Sequence, residues 1–270
     1  MKLRTVVIIA LLSIPFFGKA QMEFGMRFGI ANYLGDVASR PVPSESNLAG
    51  GLFLRANLTA QWKLRGELTM GRISGEDRST LAEGFTNLNF RTTLQELGVT
   101  MEYDFLPFLP GSPYLTFTPY VFGGVAGFRY NPQAQTLGNT YINLRQLGTE
   151  GQTIPGSNLE VYSQYGISIP FGLGFKKSVS DGLIFGLELG VRATFTDYLD
   201  DISGYYPDFS ELAQTEFGAT AVALSDRRPE AGLEAAVPGT LRGNPNNNDM
   251  YGFLLISITK KLGASPCYTF

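Results

Sequence analysis

The sequence predicts an all-β chain, an eight-stranded antiparallel up-and-down transmembrane β-barrel, and three observations predict it. Apolar residues recur at every second position through much of the chain, as Met22, Phe24, Met26, Phe28 and Ile30 do against Glu23, Gly25, Arg27 and Gly29. Successive side chains of a strand point to opposite faces, so such a segment has one apolar face and one small or charged face. The connections between these segments alternate long and short. Composition agrees: 32 Gly, 13% aromatic and only 17% charged residues, with no apolar run of about 18 residues beyond residue 20 that a membrane helix needs.

The N-terminus predicts export. Lys2 and Arg4 precede an apolar core over 6–17, and Gly18, Lys19 and Ala20 close it. This is the pattern of a secretory signal peptide cleaved near Ala20, so the expected organisation is a signal peptide over 1–20 and a barrel over 21–270. The core is too short to span a bilayer, and no Cys follows it, so neither a retained helix nor a lipid-modified N-terminus is expected. The lone Cys267 forms no intrachain disulfide and reads as an incidental residue of the tail.

The first strand is predicted over 22–33, ended by Pro41, Pro43 and a Ser-rich stretch. The second carries Leu48, Gly50, Leu52, Leu54, Ala56 and Leu58 opposite Arg55, Asn57 and Thr59, and turns near Ala60 into the third, where Trp62, Leu64, Leu68 and Met70 oppose Lys63, Arg65, Glu67 and Thr69. The alternation lapses over 73–89, which reads as an exposed loop. The fourth strand sets Leu97, Val99, Met101, Tyr103 and Phe105 against Gly98, Thr100, Glu102 and Asp104. Leu94 and Glu96 have the other parity, which suggests a bulge near Gln95 or a change of surroundings. A compact Pro-rich turn leads to the fifth strand, 116–130, with Tyr120, Phe122, Ala126, Phe128 and Tyr130 opposite Gly123, Gly127 and Arg129.

A long loop is expected over 131–159. The sixth strand, 161–176, turns at 178–182 into the seventh, 183–195, and both alternate clearly; 197–249 is the longest irregular segment. The eighth strand, 250–262, is apolar on both parities, so its faces are not assignable. Short turns follow strands two, four and six, and long loops follow one, three, five and seven. Outer-membrane barrels segregate loop lengths in this way, with short turns on the periplasmic side, whereas a soluble sandwich has no reason to. The expected location is the outer membrane of a Gram-negative bacterium, with its lipid as the surrounding partner.

In such a barrel the apolar face meets lipid and the charged face lines an interior that eight strands leave just wide enough to fill. Glu23, Arg27, Arg55, Arg65, Glu67, Glu102, Arg129, Glu188 and Arg192 are therefore expected inside, paired into an ionic plug rather than lining a pore, because isolated buried charges are costly. Tyr33, Trp62, Tyr103, Phe105, Tyr120, Tyr130, Tyr162, Phe195, Tyr198 and Tyr251 fall near strand ends, where rings suit the membrane interface, although β-propensity explains any single one as well.

The chain has no histidine. The known chemistries of small outer-membrane barrels typically use His as general base, so no catalytic residues, cofactor or small-molecule substrate are assigned. Asp197, Tyr198, Asp200 and Asp201 form an acidic outer-loop motif that reads as a solvated or cation-binding face, and Ca²⁺ there needs several converging oxygens. A net charge of −3 gives no reason to expect nucleic acid.

The loop motifs add a resemblance. ANYLGD at 31–36, FTPYVFGGVAGF at 117–128, LGTEGQ at 147–152, SIPFGLGFK at 168–176, TFTDYLDD at 194–201 and RGNPNNND at 242–249 together make the chain similar to the PorG-like outer-membrane β-barrel proteins of the type IX secretion system, a family also described as a domain of unknown function. The resemblance implies a non-enzymatic component that contacts the periplasmic lipoprotein ring of that machine. With short periplasmic turns, that contact is expected to use few residues: Leu106, Pro107, Phe108, Pro110 and Asp181, with the termini. The distinctive loop motifs, by contrast, fall on the outer side. The alternative is an OmpA- or OmpX-like structural or adhesive barrel acting through its outer loops; no cell-wall anchoring is expected, because no further domain follows the last strand, and the strand count disfavours a porin.

Overall fold

The computed structural model describes residues 21–37, 42–77, 85–108, 110 and 114–262; the expected signal peptide and Cys267 lie outside the described residues. The chain forms β1 (Gln21–Leu34), β2 (Asn47–Asn57), β3 (Trp62–Glu76), β4 (Asn89–Asp104), β5 (Phe117–Gln135), a short β6 (Tyr141–Asn143), β7 (Tyr165–Ser180), β8 (Leu183–Thr194) and β9 (Met250–Leu262). Eight of these run antiparallel in the order β4-β3-β2-β1-β9-β8-β7-β5, and β4 also pairs with β5, which closes the ring. Closure leaves no strand edge among the eight, the condition for a sheet to cross hydrocarbon. The fold is the predicted eight-stranded up-and-down barrel.

The outward side chains confirm its solvent. Phe28, Leu52, Leu97, Ile167, Leu173 and Leu189 are all exposed, and such residues continue round the whole ring. A water-soluble protein does not expose an apolar band of that extent, so this surface is a lipid-facing belt.

The alternation holds further than hydropathy shows. β3 runs to Glu76 and β4 starts at Asn89, with pairing unbroken up to Glu76↔Asn89. Beyond Met70 the outward residues are Arg72, Ser74 and Glu76; there the strands rise out of the lipid, the outward face turns polar while Ile73, Phe90 and Leu94 line an apolar inward face, and the lipid-facing period-two signal is lost although the ladder continues. The same cause extends β5 to Gln135, where it pairs with β6 inside the expected long loop. No bulge interrupts β4 at Gln95, because Leu94 and Glu96 both point inward with Glu102; the surroundings change instead.

That change divides the interior into two zones. Toward the short-turn end the lining is ionic. Toward the long-loop end Tyr33, Ile73, Phe90, Leu94, Phe128, Tyr130, Tyr251, Phe253 and Leu255 pack as an aromatic-aliphatic core. This second zone explains why β9 is apolar on both parities: Tyr251, Phe253 and Leu255 face inward while Leu254 and Ile256 face lipid.

It also overturns the face assignment of β5. Tyr120, Phe122, Ala126, Phe128 and Tyr130 line the interior, and Arg129 is exposed on the lipid-side parity, so it does not belong to the interior network. Apolar character alone does not separate lipid from an aromatic core. For the same reason Tyr33, Tyr120, Tyr130 and Tyr251 are interior rings, whereas Trp62, Phe105 and Phe195 are exposed as expected of interfacial aromatics.

Inward glycines make room for these rings. Gly174 pairs with Tyr120 across the ladder, and a Cβ at Gly174 would run into the Tyr120 ring, whose hydroxyl donates to Glu188 at 2.9 Å. We expect Gly174→Val to destabilise the barrel by about 1–3 kcal/mol through overpacking. Gly127→Val, at an outward position with nothing within 4 Å of its Cβ, should stay within about 0.5 kcal/mol. Urea titrations of the two variants in detergent micelles test the contrast, and equal costs would refute it.

Candidate functional site: a sealed interior and a polar loop cap

The ionic zone is organised by Arg65. Its guanidinium lies 2.7 Å from Glu67 and 2.9 Å from Glu102, and it also pairs with Glu188. Arg27 bridges Glu67 at 3.0 Å and Glu188 at 3.3 Å, and Arg55 bridges Glu23 and Glu102, each at 2.9 Å. Arg192 approaches Glu67 at 3.5 Å and Glu96 at 3.4 Å, and Glu96 accepts a 2.7 Å hydrogen bond from Tyr251. The network includes eight of the nine residues expected inside, all but Arg129.

It also recruits four that sequence reasoning missed. Lys176 pairs with Asp104 at 2.7 Å and Glu102 at 3.4 Å, and Lys63 pairs with Asp104 at 3.2 Å. Glu96 is the fourth. Parity identifies all of them, since each stands an even number of positions from an inward residue of its own strand. Arg27, Arg55, Lys63, Arg65, Lys176 and Arg192 thus meet Glu23, Glu67, Glu96, Glu102, Asp104 and Glu188, equal numbers of cations and anions. Arg65, Glu102 and Arg192 are at most 1% exposed, so the interior is a neutral, packed plug.

The long-loop end is closed by a second polar assembly. The segment between β8 and β9 includes α1 (Phe209–Leu212), capped by Asp208 accepting from the Ser210 and Glu211 amides, and α2 (Gly218–Ser225). Leu212, Ala221 and Leu224 pack with Ala134 near the end of β5 and with Leu144 and Leu147 from the β5–β7 connection, giving the loops a small core of their own. Tyr198 stacks on Tyr162 at 4.5 Å, and Tyr162 stacks on Tyr130 at 6.3 Å, so a ladder of rings joins this cap to the barrel.

Four motifs that are distant in sequence meet here: ANYLGD, LGTEGQ, TFTDYLDD and RGNPNNND. Arg242 binds Glu150 at 3.2 Å and lies 3.9 Å from the Asp201 carboxylate. Glu150 accepts from the Ser203 and Gly204 amides at 2.8 and 2.9 Å and from the Tyr198 hydroxyl at 3.3 Å. Asp201 accepts from the Thr149 and Tyr162 hydroxyls. Asp200 accepts from the Ile202 amide and Asp249 from the Leu199 amide, each at 2.9 Å.

The acidic motif is therefore not a solvated face: Asp197, Asp200 and Asp201 are all buried. Among the described residues no group of three or more His, Cys, Asp or Glu side chains is arranged to hold a metal ion. The carboxylates of Asp200 and Asp201 are used in hydrogen bonds that fold the loops. The signal missed in the sequence was the pairing of motifs, since Glu150, Arg242 and Asp249 sit inside quoted motifs but find partners only across loops.

Protons complete the cap. The Tyr33 hydroxyl lies 2.6 Å from Asp200 and 2.5 Å from Asp249, yet it has one hydrogen to give. A proton on either carboxyl supplies the second bond. Burial and the neighbouring Asp249 hold Asp200 well above the usual carboxylate range, and burial with Asp36 nearby pushes Asp249 up to about 7. Burial raises Asp197 to about 8, with Asp249, Asp36 and Glu150 adding to the effect, and raises Asp201 to about 6 against the pull of Arg242.

At the short-turn end, Leu106 is 41% exposed and Pro107 is also exposed. Phe108 is half-buried with Lys176 Nζ 5.5 Å from its ring centroid. Pro110 is buried, and exposed Asp181 lies 3.6 Å from Lys261. A shallow pocket between Gln21, Asn57, Pro107, Phe108, Pro110 and Leu115 marks this rim.

Two outcomes follow. Arg65→Met strips a shared cation from Glu67, Glu102 and Glu188 and should cost about 3–5 kcal/mol, as breaking a buried ion pair does; urea unfolding in micelles measures it, and a loss under about 1 kcal/mol contradicts the plug. In the cap, Asp197, Asp200, Asp201 and Asp249 hold protons to higher pH when folded than when unfolded. The folded state therefore binds more protons above about pH 4, and cap stability falls as pH rises through about 6 to 8. Limited proteolysis should cut 197–249 faster at pH 8.5 than at pH 5.5, and Asp197→Asn, neutral at every pH, should flatten that difference; a pH-independent rate counts against the shared protons.

Comparison with known proteins gives a family. Among solved structures the chain is similar to Neisserial surface protein A (11% identity, 89% of this chain and 97% of that one, TM-score 0.43). It is similar to the attachment invasion locus protein Ail of Yersinia pestis (6%, 90% and 99%, TM-score 0.41) and to OprG of Pseudomonas aeruginosa (12%, 92% and 99%, TM-score 0.38). No curated protein matches it. The family model described as a domain of unknown function, DUF6089, matches residues 2–223, and the chain, an outer-membrane β-barrel, belongs to that family.

Proposed function

We propose that this protein is a non-enzymatic outer-membrane component of a type IX protein secretion machinery, and that it contacts the machine's periplasmic lipoprotein ring through its short-turn rim. The observation that carries the reading is where the distinctive motifs go. Glu150, Asp200, Asp201, Arg242 and Asp249, the buried charges of LGTEGQ, TFTDYLDD and RGNPNNND, spend their polar groups on partners inside the cap, so these charges are structural, and of the four motifs the stretch 244–248 is displayed outward. With the interior packed, the barrel itself offers no route, and work falls to its ends.

The rim supports this assignment. Leu106 and Tyr114 are exposed there, an apolar and aromatic pair of the kind enriched at protein interfaces. The resemblance to the PorG-like proteins supplies the partner class. Burial of these charges weakens the OmpA- or OmpX-like adhesive alternative without touching the rest of the loop surface, where residues 244–248, Leu137 and Val237 are exposed.

The test has two arms in the native host. Deleting the gene should stop secreted cargo from reaching the cell surface, and a photo-crosslinker at Leu106 or Asp181 should capture a periplasmic protein while one at Leu137 does not. Unchanged secretion removes the machine role. Crosslinks confined to Leu137 favour the adhesive reading.

A further inference from the structure

The arginine that the interior does not use leads to a different site. Arg129 on β5 and Arg72 on β3 both face outward and are exposed. Neither has a hydrogen bond or ion pair among the described residues. The register places them close: Met70↔Gln95↔Arg129 forms one row across β3, β4 and β5, and Arg72↔Thr93↔Asn131 forms the next row outward. Two strand spacings of about 4.8 Å and one two-residue step of about 6.8 Å put their Cα atoms about 12 Å apart. Two extended arginines at that distance can grip one headgroup. Arg91, one row further out, is already committed, donating to Gln133 at 2.9 Å and lying 3.4 Å from the Tyr141 ring centroid.

Their depth is that of a headgroup. Outward residues on β3 read Trp62, Leu64, Gly66, Leu68 and Met70 before Arg72, and on β4 Met101, Val99 and Leu97 before Gln95 and Thr93. From Trp62 to Arg72 is about 34 Å of strand, or about 26 Å along the membrane normal at a tilt near 40°, which is the height of the apolar belt of such barrels. The arginines begin where the belt ends, at the long-loop end. They are also one-sided: β1, β2, β8 and β9 present Ile30, Leu48, Ala193 and Met250 near the same end.

A surface groove completes the geometry. It runs past Leu48, Gly50 and Met70 and ends at Arg72 and Thr93. Gly50 leaves a trough between leucines 48 and 52 that an acyl chain can follow while its headgroup meets the guanidinium. Guanidinium forks match phosphate oxygens in pairs, and at the lipid boundary such pairs are poorly screened by water.

We infer that Arg72 and Arg129 form a binding site for a phosphorylated outer-leaflet lipid, the phosphate groups of lipid A. The groove takes one acyl chain, and the two arginines take the phosphates on the glucosamine headgroup. This site sits on the barrel wall and is independent of the secretion reading.

The full chain, refolded in nanodiscs of zwitterionic lipid, is titrated with bisphosphorylated lipid A, with the same lipid after phosphatase treatment, and with phosphatidylglycerol, and bound lipid is counted by native mass spectrometry. Bisphosphorylated lipid A should bind at least tenfold more tightly than either comparison lipid, and Arg72→Gln/Arg129→Gln should abolish that preference. Arg91→Gln should keep it. Both variants change outward side chains, and retained heat-modifiable mobility on gels verifies folding. Equal binding of the dephosphorylated lipid, equal competition by phosphatidylglycerol, or an unchanged double variant overturns the site.

Discussion

Arg65 and Glu188 face each other from β3 and β8, which stand on opposite sides of the ring, and their contact spans the bore. The rest of the structure depends on that reach. An eight-stranded barrel is narrow enough for one arginine and one glutamate to meet across it, so a charge on any strand can find its counterpart on another. Arg192 on β8 and Glu67 on β3 make a second such crossing, and Lys176 on β7 reaches Glu102 on β4 past the intervening β5. These bonds tie strands that the backbone ladder does not join. Buried pairs of this kind contribute little net stability over an apolar lining, but removal of any member is costly, so they hold the wall in one arrangement.

Above the ionic zone the constraint changes. The aromatic core of Phe90, Phe128, Tyr251 and Phe253 fills the bore where the strands leave the lipid, and the loops rest on it. Leu199 and Tyr198 of the acidic motif pack against that core. Thr92 on β4 donates to the Leu199 carbonyl. The cap is thereby keyed to the barrel by apolar contact first and by hydrogen bonds second. The carboxylates of Asp197, Asp200, Asp201 and Asp249 have little water, and among the described residues Arg242 pairs with Asp201 alone of these four, which is why protons take the part that cations take lower down.

The fold was legible because lipid imposes a strict rule on one face of every strand. Where lipid is present, as from Met22 to Ile30 and from Leu183 to Val191, the alternation reads directly. It fails at both places where that rule stops. Beyond Met70 the outward face is polar, so β3 and β4 extend further than hydropathy shows. In the aromatic zone the inward face is apolar, so the face of β5 reads reversed and Arg129 is drawn inside. Of the site, the ionic plug was legible from parity for eight of its members, while the cap was not, because its partners join loops across the mouth and no periodicity relates residue 36 to 244 or 150 to 242.

The comparison of Arg27 with Arg129 shows what decides a charge's role in this chain. Both alternate with glycine and apolar residues in a strand, and local sequence does not distinguish them. Arg27 is flanked by Glu188 two strands away on one side and by Glu67 two strands away on the other. Arg129 looks away from every carboxylate of the interior, at the level where the apolar belt gives way to Gln95 and Asn131. A guanidinium is charged in either place, so each must be neutralised by what its face meets. Inside, that is protein, and the chain supplies equal numbers of both signs. Outside, at the edge of the hydrocarbon, an anion has to come from the membrane, and its phosphates are the anions at that depth.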